Sequence, residues 1–356
     1  SNGGGFVFDE WSTTPPAGFD NRPLNDGDDS QNQGLQYYYN NKGYYTRAGN
    51  DGAGRIQAFG GCAVNTIQGN VSSSQLIGGA NGENYCSFDG NDVSSNVYAP
   101  VFEGGTLDVV GKDQVFAQKF YLANQGGTFD NQGSAVEISG SFSDYIPNPT
   151  SGTLTFEGGN EVETLLTGES NYTGETIIAS GVLRVKGSLA QTPSILIKNG
   201  AKLRVEEDGK INNFVSVNIL NGGIYFANSD DIIGSISGEG RLNLYKNTKT
   251  LTVGALNENS TFSGRIDGQG DLAKTGTGIL TLSGSNGGYK GHAYIRQGTL
   301  RITDSSGLGL TENGTTVQQD AQLILALNGT SNTDRATVNE PILLEGGILG
   351  FDGQHL

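Results

Sequence analysis

The sequence has few histidines, the usual base of hydrolases. It also has few cysteines, prolines and tryptophans. It contains two histidines, two cysteines, eight prolines and one tryptophan among 356 residues. Nucleophilic hydrolysis by a Ser-His-Asp or Cys-His system needs a histidine base. Neither His292 nor His355 is accompanied by a G-D-S-G or G-x-S-x-G sequence. We therefore expect no protease or esterase site in this chain.

Basic residues and long apolar runs are also scarce. The chain has 21 Lys and Arg against 37 Asp and Glu, which gives a formal charge of −16. Nucleic acids and anionic lipids attract clustered lysine and arginine, so neither is an expected partner. No apolar run is long enough to span a membrane. Residues 1–3 lack the start of a signal peptide, which we expect to have been removed.

The two cysteines, Cys62 and Cys86, lie close together in the N-terminal quarter. They form no CxxC or Cys/His metal arrangement. The simplest expectation is a disulfide in an oxidising compartment, which would stabilise its loop by roughly 3 kcal/mol. Two free buried thiols are the alternative.

Glycine is abundant, at 57 residues, while hydrophobic residues make up 35% of the chain. Glycine without a collagen period or a high proline content indicates many tight turns. Short segments with apolar residues at alternate positions lie between these turns, for example Val182 to Val185 and Leu323 to Leu325. Such alternation is typical of half-buried strands. The composition therefore favours a thin core lined by short strands.

One stretch, Asn171 to Val185, recurs as Gly288 to Ile302. Each copy is a β-prone segment, a glycine turn and a second β-prone segment. A unit of this size buries its apolar side chains only by stacking on other copies. The residues shared by the two copies are Tyr172/Tyr289, Gly174/Gly291, Ile178/Ile295, Gly181/Gly298, Leu183/Leu300 and Arg184/Arg301.

The sequence predicts an all-β protein with two parts. Residues 1–98 form a loop-rich β head or cap, and residues 99–356 form a right-handed parallel β-helix, or β-solenoid, that is truncated at the C-terminus. Rungs of roughly twenty residues give about a dozen rungs, and similar patterns return about six rungs later. Hairpin-based sandwiches and barrels are the alternative, but they need longer strands and Asn-Gly or Asp-Gly turns.

The repeat resembles the passenger-associated transport repeat of bacterial autotransporters. The motif G-x-G-x-L-T-L-S-G-x-N-x-Y-x-G-x-T-x-I-x-x-G-x-L-x-V matches residues 276–302, and residues 152–185 match it with nine additional residues beside a turn. The resemblance implies type V secretion of a Gram-negative surface or secreted passenger. It also implies an outer-membrane β-barrel translocator in the same precursor.

Candidate functional residues lie mainly in the head. Tyrosine offers both an apolar ring and a hydroxyl for protein or glycan contacts, and packing within the head is the alternative role. A turn rich in oxygen ligands is a weak calcium candidate, because it lacks the EF-hand spacing; no other metal site is expected. The binding candidates are Trp11, Tyr37, Tyr38, Tyr39, Tyr44 and Tyr45, and the calcium candidates are Asp26, Asp28 and Asp29.

We therefore expect an adhesin and virulence factor without catalysis or cofactor. It would bind a protein or glycan of a host cell, the matrix or a bacterial surface. One alternative is the non-catalytic stalk of a subtilisin-like protease whose catalytic domain lies upstream. A less favoured alternative is a β-helical polysaccharide hydrolase or lyase that uses a carboxylate pair. Candidate carboxylates are Asp26/Asp28/Asp29, Glu161/Glu163, Glu206/Glu207/Asp208 and Asp230/Asp231.

Overall fold

A computed structural model of the chain shows an all-β protein. Residues 67, 69–73, 100–145, 152–309, 314–327 and 338–352 are described in full, together with the backbone of short strands between residues 6 and 67. Within these ranges the chain has no α-helix.

The described part of the chain is a parallel β-solenoid with three faces, as the sequence predicts. Sheet A has 13 strands and sheet B has 9, while the third face is divided into sheets C1, C2 and C3 with 4, 3 and 6 strands. The chain follows the third face, then sheet A, then sheet B in most rungs. With strands about 4.8 Å apart, the 13 strands of sheet A extend about 58 Å.

The strands of sheet A are Asn70–Ser72, Thr106–Asp108, Gly127–Asp130, Leu154–Glu157, Thr176–Ile178, Ser194–Ile197, Ser216–Ile219, Ser235–Gly238, Ser260–Phe262, Ile279–Leu282, Gly298–Ile302, Ala321–Leu325 and Ile348–Phe351. Those of sheet B are Gln114–Phe116, Val136–Ile138, Glu163–Leu166, Val182–Val185, Lys202–Val205, Ile224–Ala227, Arg241–Leu244, Arg265–Gly268 and Gly288–Tyr289.

On the third face, C1 consists of Thr66–Ile67, Val101–Phe102, Phe120–Leu122 and Phe142–Asp144. Sheet C2 consists of Glu169–Ser170, Ser188–Leu189 and Lys210–Ile211. Sheet C3 consists of Asp231–Ile233, Thr250–Val253, Asp271–Lys274, Ala293–Ile295, Thr315–Gln318 and Ile342–Glu345.

Before the coil, the short strands are paired in antiparallel fashion. They are Phe6–Val7 with Gln57–Ala58, Gln36–Tyr39 with Lys42–Tyr45, Lys42–Tyr45 with Ala63–Val64, and Arg47–Ala48 with Gly54–Arg55. The coil itself includes Thr66–Ile67 and Asn70–Ser72, which pair in parallel with the following rung. The division into a head of residues 1–98 and a coil of residues 99–356 stays a prediction.

Alternation along each strand explains how so low a hydrophobic content fills the core. In Ser194–Ile197, the side chains of Ile195 and Ile197 are buried, whereas those of Ser194 and Leu196 point outward. In-register pairing then stacks Ile178, Ile197 and Ile219 in one inward column. Each fully buried side chain of this size contributes about 1.5–3 kcal/mol. The core is therefore a set of apolar columns along the coil axis.

Phenylalanine fills the core of the first rungs. The rings of Phe102, Phe120 and Phe142 pack against one another, with centroids 5.8 Å apart for the first pair and 5.2 Å apart for the second, which is stacked. Phe129 packs against Phe116 edge to face at 5.3 Å. Such aromatic pairs add about 0.5–1.5 kcal/mol beyond their buried area.

The two copies of the sequence repeat lie on different faces of the coil. In the first copy the glycine corner at Gly181 joins sheet A to sheet B, whereas in the second the corner at Gly298 joins sheet C3 to sheet A. Both glycines have the same left-handed conformation, with φ of +71° and +70°. The repeat therefore encodes a strand, corner and strand, and it does not specify one face.

Replacing Gly298 by alanine should destabilise the coil by at least about 1–3 kcal/mol, because a non-glycine residue is strained at positive φ. In addition, the new Cβ would lie 2.2 Å from the carbonyl oxygen of Gly276 in the rung below. Thermal unfolding followed by circular dichroism measures the change. Gly287→Ala is the matched control, since its Cβ meets no atom within 4 Å. Equal melting temperatures for the two variants would contradict the corner assignment.

Candidate functional site

The residues predicted for binding all fall in the head. Trp11, the calcium candidates Asp26, Asp28 and Asp29, and the side chains of the tyrosines lie outside the described residues, so their roles stay predictions. The backbone register alone places Tyr37 opposite Tyr44 in an antiparallel pair. Cys62 and Cys86 also lie outside the described residues, and their disulfide stays a prediction.

Of the seven carboxylates considered for glycan hydrolysis that lie in the described residues, five are held in ion pairs on the coil surface. Glu163 contacts both Arg184 and Arg204, at 3.4 and 3.1 Å, and Glu206 contacts Arg184 at 2.8 Å. The ammonium of Lys202 lowers the pKa of the Glu161 carboxyl, with which it forms an ion pair. Further pairs are Glu207 with Lys246 and Lys249, and Asp230 with Lys249.

The histidine of the repeat, His292, lies on the third face just before the strand Ala293–Ile295. A hydrogen bond of 2.9 Å joins its Nε2 to Thr316 Oγ1. Its ring centroid is 4.3 Å from that of Tyr294, and its backbone N–H donates to Asp271 Oδ1. These contacts tie His292 to the neighbouring rungs.

The outer face of sheet B carries a ladder of charged side chains. In-register pairing places Arg204 above Arg184 and Arg265 above Arg241. The carboxylate of Asp267 accepts from Arg241 Nε and Arg265 Nε, each at 2.6 Å. The ladder therefore joins successive rungs on their solvent side.

Sequence reasoning did not single out this ladder, although a signal was present. Val182–Val185 and Lys202–Val205 both contain L-R-V, with arginine between two buried residues. Arginines at equivalent strand positions of successive rungs stack when the strands pair in register. Predicting the ladder requires the exact rung boundaries, and the sequence leaves these uncertain by a few residues.

A second polar cluster is buried where sheet C3 begins. Four oxygens have no hydrogen-bond partner among the described residues: Tyr225 Oη, Asn228 Oδ1, Ser229 Oγ and Asp231 Oδ2. Asp231 points inward in the column of Leu251, and its Oδ1 accepts only from the N–H of Ile232. Burial raises the pKa of Asp231 to about 7. Burial, and then the charge of Asp231, raise the pKa of Tyr225.

Metal-binding clusters and membrane-spanning helices are both absent from the described ranges. These contain no group of three or more His, Cys, Asp or Glu side chains arranged to hold a metal ion. They also contain no helix of the length and apolarity needed to cross a membrane.

Comparison with known proteins identifies the repeat. Residues 164–185 and 272–302 match the family model described as Passenger-associated-transport-repeat. The chain is also 30% identical over 187 residues to the adhesin BmaC autotransporter of Brucella suis biovar 1 (strain 1330). Together these two matches support an autotransporter passenger domain with passenger-associated transport repeats. The family implies a passenger at the cell surface or secreted from the cell.

The passenger domain spans only a small part of that adhesin: the match covers 51% of this chain and 5% of the relative. No solved structure matches the chain.

The matched segments correct one detail of the sequence alignment. The first match begins in Glu163–Leu166 of sheet B, one strand after Leu154–Glu157 of sheet A, where the sequence comparison started the first copy. The nine additional residues expected beside a turn therefore include a strand of sheet B. This extra strand is why the first copy is displaced by one face.

Asp231 should make the passenger less stable as pH rises. Its folded-state pKa of about 7 lies above the ordinary value of 3.8, so the folded chain keeps a proton that the unfolded chain releases. Below about pH 4 the Asp231 carboxyl is protonated in both the folded and the unfolded chain, so its ionisation does not change the free energy of unfolding. It lowers the free energy of unfolding as pH rises towards 7, by about 4 kcal/mol at most. Asp231→Asn should therefore melt higher than the wild type at pH 8 and equally near pH 4.

Asp230→Asn is the matched control for this pH experiment, because Asp230 is exposed and paired with Lys249. It should not raise the melting temperature at pH 8. A wild-type and an Asp231→Asn protein with the same pH profile would show that the Asp231 carboxyl is ionised at little cost in the folded state.

Proposed function

We propose that this passenger is a non-catalytic adhesin and virulence factor on the outer-membrane surface of a Gram-negative cell, or secreted from it. The carrying observation is the 187-residue similarity to an autotransporter adhesin. The ligand would be a protein or glycan of a host cell, the matrix or a bacterial surface. A β-barrel translocator of the same precursor and the Cys62–Cys86 disulfide belong to this proposal.

The geometry of the coil supports a display role. In-register pairing joins every rung of sheet A, so the coil is one continuous stack. Glu163 and Glu206, two of the carboxylates considered for glycan hydrolysis, are bound to arginine and so have a structural role on the coil surface. A rigid stack with surface ion pairs suits a protein that presents binding residues.

We place ligand binding on the tyrosine-rich strands of the head. Gln36–Tyr39 and Lys42–Tyr45 pair with each other and bring five tyrosines into one short two-stranded segment. Aromatic residues are enriched among the residues that carry most of the binding energy in protein interfaces. The head is therefore the part of the chain to test first.

Substituting Tyr37 and Tyr44 by serine should weaken binding to cells or matrix by about 30-fold, since an aromatic hot spot contributes about 2 kcal/mol or more. Binding of the full chain to host-cell monolayers, matrix-coated surfaces and bacteria gives the measurement. Tyr245→Ser is the control, because Tyr245 is 70% exposed on the coil. If Tyr245→Ser loses binding and the head variant does not, the ligand site lies on the coil. Wild-type chain that binds none of the surfaces would refute the adhesin proposal.

A further inference from the structure

Arginine is concentrated on one face of an otherwise acidic protein. Six arginines have described side chains, and four of them lie on the outer face of sheet B: Arg184, Arg204, Arg241 and Arg265. The other two are Arg296 and Arg301. The outer face of sheet B is therefore an arginine-rich part of a chain whose formal charge is −16.

The positive charge is not evenly balanced along this face. Arg184 and Arg204 share two carboxylates, those of Glu163 and Glu206. By contrast, Arg241 and Arg265 both bind the single carboxylate of Asp267. The surplus of one positive charge therefore lies at the Arg241–Arg265 pair.

The Arg241–Arg265 pair is held in place and is open to solvent. Asp267 is buried, with a side chain 6% exposed, whereas the side chains of Arg241 and Arg265 are 45% and 61% exposed. Asp267 binds Arg241 through Nε, and neither Nη of Arg241 bonds to any described residue. Two guanidinium groups fixed one rung apart present donors that match a carboxylate in a bidentate arrangement.

The next rung leaves space beside this pair. Gly288 follows Asp267 in the register column. A Cβ at Gly288 would lie 2.0 Å from Asp267 Oδ1 and 2.7 Å from Arg265 Nη2. A side chain there would displace the ends of the Asp267 and Arg265 side chains, whereas glycine leaves a bare backbone step next to the guanidinium groups.

An aromatic ring and an unpaired amide continue the column in the other direction. Register pairing runs from Arg204 through Phe226 and Asn243 to Asp267. The guanidinium of Arg204 lies 5.0 Å from the centroid of the Phe226 ring. Asn243 is 9% exposed, and its Oδ1 has no partner among the described residues. The strand of Phe226 is thus one rung from that of Arg241 and two rungs, about 10 Å, from that of Arg265.

We propose that the outer face of sheet B binds an acidic oligosaccharide that lies along the coil axis. A sugar carboxylate binds the Arg241–Arg265 pair, the apolar face of a neighbouring sugar ring packs on Phe226, and the Asn243 amide hydrogen-bonds a hydroxyl group between them. This site does not include the head tyrosines. Its existence therefore does not depend on the adhesin proposal.

Isothermal titration of the full chain with carboxylated oligosaccharides tests the site. The probes are oligogalacturonate, hyaluronan oligosaccharides and oligosialic acid. At least one should bind, and its carboxyl-esterified form should bind at least 10-fold more weakly. Arg241→Gln/Arg265→Gln should weaken binding at least 10-fold. Phe226→Leu, which leaves every ion pair in place, should weaken it about 5-fold or more, within the energy of a lost aromatic contact.

Arg301→Gln is the matched control, since Arg301 lies on sheet A and pairs with Asp352. Circular dichroism verifies that each variant keeps its β structure. Unchanged binding by Phe226→Leu together with the arginine double variant would overturn the proposal. So would equal losses in Arg301→Gln, which would indicate unspecific charge attraction, or the failure of all three probes to bind the wild type.

Discussion

A strand in this coil has hydrogen-bond partners and a buried face only because another rung lies on each side of it. Each strand is two to five residues long, too short to bury a core by folding back on itself. Stacking joins backbone groups along the axis and places like side chains over one another, as for Ile178, Ile197 and Ile219. The same register aligns the arginines of sheet B and fixes their spacing.

This constraint explains why the repeat specifies a corner and tolerates any face. What must be preserved is an inward apolar pair, a glycine with positive φ and another inward pair. Gly181 and Gly298 adopt nearly the same positive φ, although they lie at corners between different pairs of faces. Polar residues between these positions are free to vary, so the transport repeat acts as scaffold. Specific chemistry belongs to features that interrupt it, such as the Arg241–Arg265 pair and Asp231.

The fold was predictable because alternation, glycine corners and rung length are all local. Leu154–Phe156 and Leu280–Leu282 do lie six strands apart in sheet A, although the match to the transport repeat begins one strand after Leu154–Glu157. The face of each strand was not predictable. One extra strand, Glu163–Leu166, looks like an insertion in a sequence alignment. In the structure it moves every following strand of the repeat to the next face of the coil. Pairs such as Arg241 with Asp267 depend on that register, so sequence reasoning missed them.

The distance between Thr155 and Thr281 tests this architecture most directly. The two residues are far apart in sequence but lie on the same outward column of sheet A, six strands apart. A spacing of about 4.8 Å per strand gives a backbone separation of about 29 Å. Spin labels at these two positions should give a single narrow distance distribution centred near that value by pulsed electron paramagnetic resonance. A broad distribution, or one centred above about twice that distance, would contradict an in-register coil.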